Sequence, residues 1–275
     1  DTKDGVVICK ATQTKSTERT TSRGPEGNKV LFYTYADAAM STTSLFRPEW
    51  ISEHYVHDGT NADSAPDWSF NHGHFENQVT YFIGPVNFHW ISNGKKYVRT
   101  MNTGDVNYIT PFVPHTFTTR EEGKGLILAV TYGGAAASEQ YQSQIQSMTL
   151  PEYLAELERT LPAVDGTPAT DELGGVMIHY HKDVAAGTPL ELLSNVPSQP
   201  STRALEYVLT GTPIAVPAQK TERWGYNVSE TAVTLTWGGN TEVLQPGDSF
   251  FIRPGAEHAF SGTGTVLVME IQPDG

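Results

Sequence analysis

The stretch Asn71 to Phe82, NHGHFENQVTYF, concentrates residue types that bind metals. His72, His74, Glu76 and Gln78 share one parity, so an extended strand would turn two imidazoles, a carboxylate and a carboxamide to one face. Such a set is an unusual filling for a core and an ordinary one for a divalent ion. A further histidine, His115, closes the segment that begins at Gly104. Imidazole nitrogens with oxygen donors suit Fe(II), Mn, Ni or Zn. The single cysteine, Cys9, excludes an internal disulfide and a cysteine-based zinc site. His54, His57, His89, His179 and His181 have no such companions and are expected to be structural or solvated.

The elements that must position these residues are β-strands. The runs KVLFYTY, QVTYFIG, VNFHWIS, KYVRTM, VNYITPF and GLILAVTYG are separated by Gly, Asn and Pro at the spacing of an all-β sandwich or barrel. SNGKK at 92–96 reads as a hairpin turn. Residues 1–28 are polar and expected to be irregular or edge structure. Residues 136–161 have helical composition, with Pro151 suited to a first turn, and 164–175 read as a linker. The strand pattern resumes at Val176.

The two β-rich halves are repeats. TGDVNYITPFVPHTF (103–117) parallels PGDSFFIRPGAEHAF (246–260), which puts His258 where His115 stands. HGHFENQ (72–78) parallels WGYNVSE (224–230), which keeps no histidine. The expected division is therefore a catalytic barrel over 1–135, a helical connector and linker over 136–170, and a degenerate barrel over 171–275. His258, facing Trp224 and Tyr226, is expected to be metal-free, and its barrel to serve packing or assembly.

A net charge of −13 argues against nucleic acid or an anionic membrane as partner, and leaves room for a small anion met by local Arg or Lys. No apolar run approaches the length of a membrane span, and no signal-peptide pattern opens the chain, so a cytoplasmic location is expected.

His72-x-His74-x3-Gln78, followed by Gly104-Asp105-x5-Pro111-x3-His115, resembles the paired motifs of the cupin superfamily. The resemblance implies an all-β fold of tandem cupin barrels, double-stranded β-helices of the jelly-roll type, with a short helical connector. More closely, the chain resembles the two-cupin non-haem iron phosphonate oxygenases. Members that form hydroxymethylphosphonate take a carboxylate ligand six residues before the last histidine. Here that position is Ile109. Members that form methylphosphonate use a glutamine four residues after the first ligand histidine, with an apolar residue at the later position. His74, Gln78, Ile109 and His115 reproduce that combination.

The family also binds phosphonate through an Arg and a Tyr eight residues apart and an Asn three before the first ligand histidine. Arg47, Tyr55 and Asn71 have those spacings. The resemblance thus implies Fe(II) on His74, Gln78 and His115, substrate held by Arg47, Tyr55 and Asn71, and catalytic roles for Gln78 and Tyr55. It implies 2-hydroxyethylphosphonate and O2 as substrates and methylphosphonate as product. Lys3, Lys182 and Lys220 are candidates to complete the substrate site. A homo-oligomer is expected, because exposed cupin edge strands pair. Three other readings stay open: the sister reaction giving hydroxymethylphosphonate and formate, a different two-cupin dioxygenase or isomerase with Glu76 as ligand or base, and a non-catalytic cupin binding protein.

Overall fold

The structure is a computed structural model that describes residues 4–132 except 43, 45, 58 and 75, and then 175–181, 189–193 and 202–271. It is built from curled antiparallel sheets, the all-β fold expected. The chain divides into two compact units, one of Arg19–Tyr35 and Glu49–His181, the other of Asp1–Glu18, Ala36–Pro48 and Lys182–Gly275.

The unit that carries the histidine motif has a seven-stranded and a three-stranded sheet. In the larger sheet the order is Val176–His179, Val106–Ile109, Asn77–Ile83, Leu126–Tyr132, Phe46–Glu53, Val30–Asp37, Arg19–Arg23. The smaller runs Lys95–Met101, Val86–Ser92, His115–Thr119. Alternation along these strands sends Phe82, Phe88, Trp90, Phe117 and Ile127 into one apolar core. Val86–Ser92 and Lys95–Met101 are joined by Asn93 and Gly94 alone, both at positive φ (50° and 71°), as a two-residue hairpin loop requires.

The second unit repeats the plan with Glu222–Asn227, Ser249–Ile252 and the long strand His258–Ile271 at its centre. Leu205, Leu235, Phe250, Phe260 and Val266 fill it.

The division differs from the linear one expected at 135 and 171. The N-terminal strand Val6–Cys9 pairs with Ser249–Ile252 and so belongs to the C-terminal barrel. Val176–His179 pairs with Val106–Ile109 and so belongs to the first barrel. The C-terminal barrel thus takes an edge strand from before the first barrel, and the first barrel takes one from the segment expected to open the second; no composition boundary marks either step. The expected helices over 136–161 and the linker over 164–175 lie outside the described residues, apart from Gly175. Among the described residues no helix is long and apolar enough to cross a membrane.

One buried group in the first barrel has no role in the site. Glu53 is 1% exposed, and neither carboxyl oxygen has a hydrogen-bond partner among the described residues. Burial alone raises its pKa well above the usual carboxylate value. The folded chain therefore keeps this proton to a higher pH than the unfolded chain does. Stability from this group is complete below the ordinary carboxylate pKa and is lost as pH rises toward the elevated one. Glu53→Gln is expected to raise Tm at pH 7 by about 2–4 °C per kcal/mol recovered, and to flatten the fall of Tm between mildly acidic and neutral pH. Calorimetry across that range checks it, and a lower Tm at pH 7 would contradict it.

Candidate metal centre

Asn77–Ile83 is an interior strand of the larger sheet, flanked on both sides, and it carries Gln78 near its start. Its neighbours set what surrounds that side chain. Gln78 stands in register with Ile109 on one side and Thr131 on the other. Directly opposed residues on adjacent strands point to the same face and occupy the same space. Positions 78 and 109 therefore present their side chains to the same space, and here 109 is a buried isoleucine.

His74 is delivered by the turn before the strand. The parity expected of Asn71–Gln78 holds only from Asn77 onward, because residues 71–74 form no strand. Gly73 sits at φ +79°, and a Cβ there would lie 2.6 Å from the carbonyl carbon of Phe112. That close approach lets Phe112 N–H donate to the His74 carbonyl at 2.8 Å. Asn71 clips the same turn to the next strand: its Oδ1 accepts from Gly73 N (3.0 Å) and His115 N (2.8 Å), and its own N–H donates to His115 O (3.0 Å). One asparagine thus fixes the spacing of both histidines.

Each imidazole is then oriented by a backbone carbonyl. His74 Nδ1 lies 2.7 Å from Glu76 O, and His115 Nδ1 lies 2.8 Å from Val113 O. A carbonyl only accepts, so both Nδ1 atoms carry the proton and both Nε2 atoms present lone pairs. His115 is buried, and its pKa is pushed down to about 3, first by burial and then by His74, so it stays neutral. The rings meet edge to face at 5.1 Å. Gln78 Oε1 lies 3.1 Å from His74 Nε2. Two donors each about 2.1 Å from one ion and at right angles stand about 3 Å apart, so this spacing is that of two ligands on one centre. Two nitrogen lone pairs and an amide oxygen fit a divalent ion of the Fe(II), Mn or Zn type.

Glu76 is placed elsewhere. Its carboxylate is 3.8 Å from Nδ1 of His74, on the far edge of the ring, so it is not turned toward the Nε2 atoms. Among the described residues no three His, Cys, Asp or Glu side chains assemble into a metal-binding group. The third donor available here is the Gln78 carboxamide.

His74, Gln78, His115 and Asn71 line one cavity of about 140 Å³, well below the roughly 300–1,000 Å³ typical of sites for drug-sized ligands. Its cation is Arg23, and its phenols are Tyr33 and Tyr35. Tyr33 is locked, its hydroxyl donating to Phe117 O (2.9 Å) and accepting from Phe117 N (2.8 Å). Glu49 also lines the cavity and is paired to Arg19. Ile51, Phe117 and Ala129 supply apolar wall.

Arg47 and Tyr55 are not among the lining residues. Arg47, on the strand Phe46–Glu53, is largely exposed and lies 3.8 Å from Asp37. Tyr55 stacks on Phe32 at 5.4 Å and on His57 at 6.0 Å. Arg23 was missed because it sits on an edge strand within a polar stretch. A hairpin brings it beside Tyr33 and Tyr35, and residues on paired strands meet at whatever sequence distance the turn sets. Of the other histidines, His54 bonds Thr34 (2.8 Å) and His57 bonds Ser64 (3.0 Å).

In the second barrel His258 faces Arg223, not Trp224 and Tyr226. Its Nδ1 is 3.2 Å from Arg223 Nη1, and Arg223 Nε donates to Glu270 at 3.1 Å. Gln78 pairs with Ile109 and Arg223 with Ile252, each partner six residues before its histidine, so the counterpart of Gln78 is Arg223 rather than Glu230. The alignment of 72–78 with 224–230 is therefore off by an odd number of residues, which exchanges the faces of a strand.

Gly73→Ala is expected to weaken divalent-metal binding at least about tenfold, since the strained φ and the Phe112 contact both oppose a side chain. Titration with Co(II) checks this, and native affinity would show that the turn does not hold His74.

No protein-family model matches the chain. It is 30% identical to methylphosphonate synthase of Nitrosopumilus maritimus (strain SCM1), over 87% of this chain and 68% of that protein. It superposes along its whole length on 77% of the 2-hydroxyethylphosphonate dioxygenase of Streptomyces albus, solved with 2-hydroxyethylphosphonate and Fe(II) bound, with a TM-score of 0.75 and 26% identity. Oxalate decarboxylase of Lactobacillus farciminis shares the fold alone, at 14% identity and a TM-score of 0.55. With its two cupin barrels and a synthase relative matched over more than two thirds of that protein's length, the chain belongs to the two-cupin non-haem iron phosphonate oxygenases.

Proposed function

We propose that the protein cleaves the C–C bond of 2-hydroxyethylphosphonate with O2, giving methylphosphonate, CO2 and water. The equation balances without an external reductant. The observation that carries the choice of product is the register pair Gln78–Ile109, which leaves a neutral carboxamide where the sister enzymes place a carboxylate. His74 Nε2, His115 Nε2 and Gln78 Oε1 would hold Fe(II). Bound there, the ion supplies open positions for substrate and O2 and accepts electrons from the substrate.

The residues of the chain do the rest. With three neutral ligands, the site keeps the full charge of a divalent ion and favours an anion. Arg23, whose Nη1 donates to the Ser69 carbonyl, has further guanidinium N–H groups to offer a phosphonate oxygen. The Asn71 amide, whose Nδ2 reaches 3.1 Å from His115 Nε2, offers another donor at the metal position. Tyr35, held protonated by burial, can donate its hydroxyl. Arg19 occupies the Glu49 carboxylate, so that charge is not left to repel the phosphonate. The apolar wall excludes water, and the cavity volume suits a substrate of this size. This reading moves phosphonate binding from Arg47 and Tyr55 to Arg23 and Tyr35. It includes a cytoplasmic homo-oligomer, for which the exposed edge strand Arg19–Arg23 is the support.

The test is phosphorus NMR of Fe(II)-loaded protein incubated in air with 2-hydroxyethylphosphonate. Methylphosphonate is the expected signal, hydroxymethylphosphonate would place the chain with the sister reaction, and unchanged substrate would reject the proposal. Arg23→Ala is expected to lower kcat/KM by about 100-fold, mostly through KM, the scale of one lost charge-assisted contact. Arg47→Ala should cost far less, and the reverse order would return phosphonate binding to Arg47.

A further inference from the structure

A carboxamide is an ambiguous ligand. One end accepts and can hold a cation, and the other donates and cannot. Half a turn about its last torsion exchanges the two. The second carboxylate oxygen in sister enzymes raises no such problem, because both ends are alike. A chain that uses glutamine therefore needs something to decide which end faces the ion.

The geometry around Gln78 contains that element. Its Oε1 faces His74 Nε2 at 3.1 Å, and that nitrogen carries no proton. Two lone pairs thus oppose each other inside a buried site, an arrangement that a cation between them reverses from repulsive to attractive. On the other end, Gln78 Nε2 donates to Thr80 Oγ1 at 2.8 Å. Thr80 is fully buried, two residues along the same strand and so on the same face, in register with Asn107 and Ala129. A β-branched side chain in an interior strand has few rotamers, so its hydroxyl is a fixed partner.

We propose that Thr80 is a positioning residue for the metal, accepting from the Gln78 NH2 group so that the carboxamide oxygen is held toward the ion. A hydroxyl suits the role because it also donates. In the metal-free protein the amide can turn, give its NH2 to His74 Nε2 and accept from Thr80, so the ligand stays in place without a cation. Valine offers neither interaction. The inference rests on Gln78 being a ligand, as proposed above.

The test is Co(II) titration of the full-length protein, read by the visible absorption of the bound ion, for Thr80→Val, Thr80→Ala, Thr80→Ser and Gln78→Ala. Thr80→Val and Thr80→Ala are expected to weaken Co(II) binding about 10–100-fold, the usual effect of losing a group that orients a ligand. Thr80→Ser should stay within about threefold of the native protein. Metal-free Tm should change by only a few degrees in all three, since a packing role would move Tm and leave affinity alone. Native affinity in a folded Thr80→Val or Thr80→Ala protein overturns the proposal. So does an equal loss in Thr80→Ser, or failure of both hydroxyl-free variants to fold. Gln78→Ala separates the two levels: if it binds Co(II) as the native protein does, the ligand assignment itself fails. If it binds weakly while Thr80→Val binds normally, only the role of Thr80 fails.

Discussion

The site depends on two hydrogen bonds that never touch the ion. Nδ1 of His74 and Nδ1 of His115 each give their proton to a backbone carbonyl two residues away. Those bonds choose the tautomer, fix the ring planes and send both Nε2 lone pairs to one point. Burial keeps His115 from answering the convergence by taking up a proton. The surrounding fold exists to make this pairing possible. Gly73 allows the approach to Phe112, Asn71 ties the turn to the strand of His115, and the sheet register sets Gln78 beside them.

The second barrel shows the same frame with another solution. Its histidine is equally buried and keeps a backbone bond to Ala256, but its Nδ1 also lies 3.2 Å from the Arg223 guanidinium. Arg223 in turn bonds Glu270 and the Pro217 carbonyl, so a positive side chain satisfied on three sides adjoins the imidazole. A cation beside His258 would stand against that charge. His258 is held neutral, with its pKa near 4, first by burial and then by Arg223.

Much of this was legible in the sequence because it rests on local chemistry. The strand runs, the Asn93–Gly94 hairpin and the repeat of the Gly-Asp to His segment depend on alternation, turn residues and short spacings. The set His74, Gln78 and His115, which the fold brings to one cavity, was legible through its resemblance to the cupin motifs. What the sequence concealed depends on pairing across distance. Arg23 reaches the cavity only because a hairpin folds its edge strand beside Tyr33 and Tyr35. Val6–Cys9 and Val176–His179 join barrels that lie far from them along the chain. His72 and Glu76 share the parity of His74 and Gln78, yet they lie before the strand begins, where parity no longer sets direction. Trp224 was placed on the wrong face because the alignment of 72–78 with 224–230 is off by an odd number of residues, which the repeat motif alone could not detect.

The central claim is that an amide oxygen completes the metal site. Diffraction from crystals of the Fe(II)-loaded protein, with anomalous data at the iron edge, tests it most directly. The account predicts one iron peak bonded to His74 Nε2, His115 Nε2 and the Gln78 carboxamide oxygen, with Glu76 turned away and none at His258. Iron bonded to Glu76, or Gln78 directed away from the metal, would contradict it.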